Sequence, residues 1–206
     1  MKKLSVVAIF LFVLSTVRAQ NNNFRFGIAA GLNISNITDK FDGGSFTPDS
    51  RVGFKAYLFF DAPVAKNFSI QPEVGYDAMG FKLNGDITGG GSNESVDAQV
   101  NYLSIGILPK IKVPKTGLAF FAGPSISILL SSKVSDNQGN SASNQDAYNS
   151  MDVFANVGAE YFFPIGLGFT ARYMGGLTNI AKDAQDGETV HNHAFSFSVA
   201  YKFPSK

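Results

Sequence analysis

The chain has 206 residues, a net charge near +1, 21 glycines, 20 phenylalanines, and neither cysteine nor tryptophan. Missing cysteine excludes disulfides, thiolate zinc centres and cysteine nucleophiles, so an exported domain of this size must be held by its sheet. Dispersed basic residues at almost zero net charge exclude the basic stripe that a nucleic-acid partner needs.

Met1–Ala19 reads as a cleaved secretion signal. Lys2 and Lys3 form the positive n-region, Leu4–Val17 is apolar, and Val17-Arg18-Ala19 places small residues at a cleavage site before Gln20. The apolar run is shorter than the roughly 20 residues of a spanning helix. Residues 20–206 then form one domain.

From Phe24 onward the apolar residues recur every second position, which is the strand period. Strand one, Phe24–Ile37, puts Phe26, Ile28, Ala30, Leu32 and Ile34 on one face and Arg25, Gly27, Gly31, Asn33 and Ser35 on the other. Strand two, Ser50–Phe60, sets Val52, Phe54, Ala56, Leu58 and Phe60 against Arg51, Lys55 and Tyr57. Asp61–Asn67, containing Pro63, reads as a turn. Strand three, Phe68–Phe81, alternates Phe68, Ile70, Pro72, Val74 and Tyr76 with Gln71, Glu73 and Asp77.

After the Gly/Asn/Ser-rich loop Lys82–Val96, strand four runs to Val113. Leu103, Ile105, Ile107 and Ile111 oppose Tyr102, Ser104, Lys110 and Lys112. Strand five, Leu118–Leu130, carries Phe120, Ile126 and Ile128 against Phe121, Gly123, Ser125 and Ser127. Ser132–Asn149 is the longest loop. Strand six, Met151–Phe163, sets Val153, Val157 and Tyr161 against Asp152, Asn156 and Glu160. Strand seven, Leu167–Leu177, opposes Phe169 and Tyr173 to Arg172. A polar loop, Ala181–Val190, leads to strand eight, Asn192–Phe203, with Phe195, Phe197, Val199, Tyr201 and Phe203 aligned. Pro72 and Pro124 interrupt strands that periodicity otherwise supports, because proline gives the ladder no donor.

Connections alternate long and short, with an even strand count. That is the pattern of an all-β, eight-stranded antiparallel up-and-down transmembrane barrel in an outer membrane. Aromatics near strand ends (Phe59, Phe60, Phe68, Phe120, Tyr161, Phe162, Phe163, Tyr201 and Phe203) read as interfacial girdles. The terminal Tyr201-Lys202-Phe203 resembles the assembly signal of such barrels, which implies the barrel-assembly machinery as a partner beside outer-membrane lipid. A soluble lipocalin-like carrier shares the alternation but would face its apolar residues inward.

In the membrane reading the polar face becomes the lumen. Arg25, Arg51, Lys55, Lys110, Lys112, Arg172 and Lys202 are expected to meet Glu73, Asp77, Asp152 and Glu160 there. Eight strands enclose a space just wide enough for side chains, so a plug is expected. The basic excess leaves an anion-selective narrow pore as the alternative.

The search for chemistry finds no site. His191 and His193 share a strand face, yet nothing fixes a third metal ligand. There is no Gly-x-Ser-x-Gly elbow, and Gly89-Gly90-Gly91 follows no strand-to-helix transition. No catalytic residue, metal or cofactor is expected, and the chain reads as non-enzymatic.

Several stretches carry a resemblance. Phe26-Gly27-Ile28-Ala29-Ala30-Gly31-Leu32-Asn33-Ile34-Ser35, Asn101-Tyr102-Leu103-Ser104-Ile105, Phe121-Ala122-Gly123-Pro124, Arg172-Tyr173-Met174-Gly175-Gly176-Leu177-Thr178-Asn179-Ile180 and Tyr201-Lys202-Phe203 stand in order along the chain. Together they resemble the PorT-like outer-membrane β-barrel family of Bacteroidetes. The chain departs from that pattern with Ser104 where the strand usually carries Glu. The resemblance implies an eight-stranded barrel in the outer membrane without catalytic residues; a surface or envelope protein is a further expected partner. The expected role is structural or surface-interacting, with a secretion-accessory barrel as the alternative.

Overall fold

The computed structural model describes residues 24–41, 44–85, 94–182 and 188–204. The expected signal Met1–Ala19 and the triplet Gly89–Gly91 lie outside them. Eight long strands form an antiparallel up-and-down sheet: β1 (Arg25–Phe41), β2 (Asp49–Ala65), β3 (Phe68–Gly85), β4 (Glu94–Lys112), β5 (Leu118–Asp136), β6 (Met151–Phe162), β7 (Leu167–Gly176) and β8 (Thr189–Lys202). The sheet closes on itself because β8 pairs with β1 from Gly27↔Lys202 to Lys40↔Thr189. Closure removes the edges that hydrocarbon could not solvate.

The pleat sorts the side chains. Ile28, Leu32, Val52, Phe54, Ile105, Ile107, Ile126, Val157, Phe169, Phe197 and Val199 all project outward and stay exposed, whereas Asn33, Lys55, Asp77, Lys110, Asp152 and Arg172 are buried inside. A continuous apolar exterior is stable against lipid and unstable against water. It also overturns the soluble-carrier alternative, which required the opposite phase.

Short turns mark one end. Lys66 and Asn67 join β2 to β3, where the Lys112 N–H donates to the Asn67 carbonyl at 2.8 Å. The turn after β6 places Gly166 at φ 88°, in the left-handed region. At the other end the strands outrun the bilayer. The β4 and β5 strands have 19 residues each, whereas β7 has 10, and about 9–11 suffice to cross. The long connections are therefore partly sheet. Gly44–Phe46 folds back on β1, and Ser141–Ser143 on Lys133–Ser135 of β5. Asp136 closes that hairpin by accepting from the backbones of Gln138 and Asn140 and from the Asn140 side chain. The Asn140 side-chain donor comes first among the contacts holding its carboxyl below the usual carboxylate range.

One sequence boundary moves, and one stretch of pairing lapses, for physical reasons. Asp61–Asn67 is mostly strand, since β2 continues through Pro63 opposite Ser69 with a register irregularity beside it. The prolines of the wall also leave a gap: pairing of β4 with β5 lapses between Gly106↔Ser125 and Lys110↔Phe121 without changing register. Pro109 and Pro124 lie in that gap and bring no N–H. From the inside, the Asn156 amide donates to the Gly123 carbonyl at 3.2 Å and to Ser125 Oγ at 2.9 Å, supplying a donor where the ladder lacks one.

Phe197 is 55% exposed at the middle of β8. Phe197→Arg should lower folding stability by about 2–4 kcal/mol in lipid vesicles, and Phe197→Leu by much less. Urea titration followed by heat-modifiable migration checks this. Equal stability of the two variants would mean that lipid does not touch this face.

Candidate functional site: a closed, layered lumen

Nearest the short turns, Asp61, Glu160 and Gln71 surround Lys110. The Lys110 Nζ lies 2.6 Å from Gln71 Oε1, 2.6 Å from Glu160 Oε1 and 3.7 Å from Asp61. Lys202 donates to Asp61 at 2.9 Å and sits 3.8 Å from the Phe162 ring centroid. Lys112 approaches Asp61 at 3.3 Å from the rim, with about a third of its side chain exposed. The ring of Phe59 meets that of Phe162 at 6.2 Å and underlies Lys110.

Above this layer, Arg172 meets Glu73 in a two-pronged pair, its second prong 2.9 Å long. The guanidinium is sandwiched between the rings of Tyr57 at 5.3 Å and Phe121 at 5.1 Å. Planar charge on an aromatic face is a favourable cation–π contact, stronger when water is excluded. The Phe121 ring fits because Gly158 faces it; a Cβ at Gly158 would overlap its edge. One step further, Lys55 donates to Asp77 at 2.6 Å, and Asn33 donates to the same carboxylate at 2.9 Å.

The next layer is apolar. Met79, Val100, Tyr102, Phe154, Met174 and Ala194 form a buried cluster with Leu129 and Tyr148 packed against it. Over it lies a second cluster of Ile37, Ile180 and Val190. Ile180 arrives there because residues 177–182 leave the wall after β7 and cross the mouth. The Asn149 N–H donates to the Ile180 carbonyl at 2.8 Å and the Ile180 N–H to Val190 at 2.9 Å, while Tyr148 bridges Ala181. Asn179 locks the crossing by accepting from the backbones of Ala181 and Val190.

Lys55, Lys110, Arg172, Lys202, Glu73, Asp77 and Glu160 therefore share one interior, with Lys112 at its rim. Three expected members do otherwise. Arg25 is exposed at the first position of β1, beyond the enclosed space. Arg51 reaches across Gly80 to Asp97 at 2.6 Å and Gln99 at 3.0 Å, on the side of β4 opposite buried Ala98 and Val100. The irregularity between Ser50 and Lys55 reverses the alternation there. Asp152 is inside but meets no cation among the described residues; Thr178 donates to it at 2.5 Å and Asn192 at 2.9 Å.

Asp61 is the interior acid that the turn assignment hid. Extending the period from Lys55, Tyr57 and Phe59 lands on it. With Asp61 included and Arg51 removed, Lys55, Lys110, Lys112, Arg172 and Lys202 each have a carboxylate counterpart, and the basic excess behind an anion path disappears. Phe59 and Phe162 are likewise corrected from girdle to lumen, since both share the parity of inward residues and pack with Tyr57. His191 and His193 face outward at the long-loop end. No group of three His, Cys, Asp or Glu suited to a metal occurs among the described residues.

Comparison with known proteins follows this geometry. Residues 18–182 match the model of a family described as the outer membrane protein β-barrel domain. No curated protein sequence matches. Among solved structures, Neisserial surface protein A is similar at 13% identity, over 86% of this chain and 97% of that one, with a TM-score of 0.56. Ail, the attachment invasion locus protein of Yersinia pestis, in complex with the heparin analogue sucrose octasulfate, is similar at 13% identity. That match spans 87% of this chain and 99% of Ail, with a TM-score of 0.50. At such identity the likeness concerns fold.

Glu73→Gln leaves the buried Arg172 without its carboxylate, and removing one partner of a buried ion pair typically costs about 3–5 kcal/mol. Combining it with Arg172→Met should restore most of that loss. Unfolding free energies of the two single and the double variants give the coupling, and strictly additive losses would show that the pair does not act as a unit.

Proposed function

Because the chain belongs to the outer membrane protein β-barrel domain family, we propose that it is an anchored interaction platform of the cell surface rather than a conduit or an enzyme. It is an outer-membrane β-barrel whose lumen is filled with side chains. The observation that carries the proposal is the double closure of that lumen, by the ion-paired layers around Lys110 and Arg172 and by the apolar layers around Phe154 and Ile180. A solute would have to separate buried ion pairs to pass, at several kcal/mol each.

What remains available is the surface. Short turns face the periplasm and long connections face outward in such barrels, so the overlong β3–β5 region stands clear of the bilayer as rigid sheet. It presents Lys82, Asn84, Ser95 and Asp97, with Lys82 3.9 Å from Asp97 and Asn84 accepting from Ser95 at 2.7 Å. A preorganised polar sheet loses little entropy on meeting a partner. The Ail structure with its bound heparin analogue offers a fold-level analogy for a surface that meets an external ligand. The PorT-like resemblance supports an envelope protein as that partner.

The same reading includes cleavage of Met1–Ala19 and insertion by the barrel-assembly machinery. Support for the latter comes from the aromatic close of the chain. Phe203 stacks on Phe26 at 5.7 Å, and its N–H donates to the Phe26 carbonyl at 2.8 Å.

Planar-bilayer recording of the purified, folded chain tests the proposal. It should show no steady single-channel current, and steady unitary currents would replace the platform by the narrow-pore alternative.

A further inference from the structure

On the outward face, where β7, β8 and β1 end toward the cell surface, lies a groove of about 390 Å³. The register explains it. His193 stands opposite Gly175 on β7 and Asn36 on β1, and His191 stands opposite Thr38. Gly175 contributes no side chain and its β6 partner is the small Ala155, which leaves a notch between His193 and Tyr173. The lower wall is apolar, formed by Tyr173, whose ring meets Phe195 at 5.0 Å, while Leu177 borders the groove at the level of His191. The upper wall carries Lys40, His191 and His193.

Among the described residues that line this groove, the titratable side chains other than the Tyr173 phenol are all basic. Elsewhere at the outer rim, Arg51 and Lys82 are answered by Asp97. Lys40 has no carboxylate within salt-bridge distance among the described residues. Its chain neighbour Asp39 pairs in register with Val190, whose side chain lies in the buried mouth cluster, so Asp39 points inward. There it feels the charge of Glu188. The alternation of the strands thus sends Asp39 to the mouth and leaves an ammonium and two imidazoles facing the membrane.

From this arrangement we infer that the groove seats the phosphorylated headgroup of an outer-leaflet lipid. The lysine supplies charge, and each imidazole supplies an N–H donor even when neutral. Phosphate accepts charge-assisted hydrogen bonds from such groups. The apolar lower wall continues into the band of Phe195 and Phe197, matching the junction between headgroup and acyl chains. A free anion would use the upper wall alone, whereas a lipid uses both walls, and this amphipathic layering favours the lipid.

The test uses the folded full-length protein in detergent, titrated with diphosphorylated lipid A, with the same lipid dephosphorylated, and with inorganic phosphate. Native mass spectrometry reads the bound fraction. The inference predicts binding of the phosphorylated lipid, with the dephosphorylated form and inorganic phosphate each weaker by about tenfold or more. Lys40→Glu should weaken the phosphorylated lipid by about tenfold, the scale expected when one cation near the surface is reversed. Gly175→Leu should block the notch without changing charge, and both variants should retain heat-modifiable migration. If Lys40→Glu does not fold, Lys40→Gln replaces it. Equal affinity of the wild type and these variants would overturn the site. Equal binding of the dephosphorylated lipid would overturn the role of phosphate, and inorganic phosphate binding as tightly as the lipid would overturn the lipid as occupant.

Discussion

Closure of the sheet between β8 and β1 is the constraint on which the rest depends. In hydrocarbon each unpaired backbone group costs several kcal/mol, so a sheet that spans a membrane can have no free edge. The Gly27–Lys40 pairing with Thr189–Lys202 satisfies that demand. Once the ring is closed, the pleat leaves two destinations for side chains: lipid outside and a narrow enclosed space inside. Every polar residue on the inward parity must then find a partner within that space.

The interior answers this by stratification. Charges occupy the part nearest the periplasm, where Asp61 receives Lys202 and Lys112 and Glu160 receives Lys110. The Arg172–Glu73 pair is held between two aromatic faces, which restrict the guanidinium to the orientation that meets the carboxylate squarely. Toward the cell surface apolar clusters around Phe154 and Ile180 fill the space beside the hydrogen-bonded Asp152, and residues 177–182 close the mouth with Ile180. Burial strengthens the ion pairs, while each pair must remain complete because a lone buried charge is expensive. The proposed functions accordingly lie on the outside, on the projecting sheet and in the outward groove.

Much of this was legible in the sequence, because a period of two specifies both strand and face. The eight strands, their alternating connections and the inward placement of Lys55, Asp77, Lys110 and Arg172 follow from alternation alone. What alternation could not show are its own interruptions. A bulge reverses the face of Arg51. Pro63 disguises two further turns of the pleat and with them Asp61, the anion that gathers three lysines. The apolar mouth was hidden for a different reason. Met79, Phe154 and Met174 lie on the polar face of their strands, and Ile180 lies outside any strand, so no local pattern marks them as one cluster. Phe59 and Phe162 were misplaced by their position near strand ends, although their parity pointed inward.

The most direct measurement exploits the absence of native cysteine. Single cysteines placed in turn at residues 195–199 of β8, spin-labelled in a bilayer, report collision with dissolved oxygen and with a water-soluble nickel relaxant. The account predicts high oxygen access at 195, 197 and 199, and low access to both reagents at 196 and 198. An inverted phase, with the labels at 196 and 198 meeting oxygen, or nickel access at those two inward positions, would contradict it.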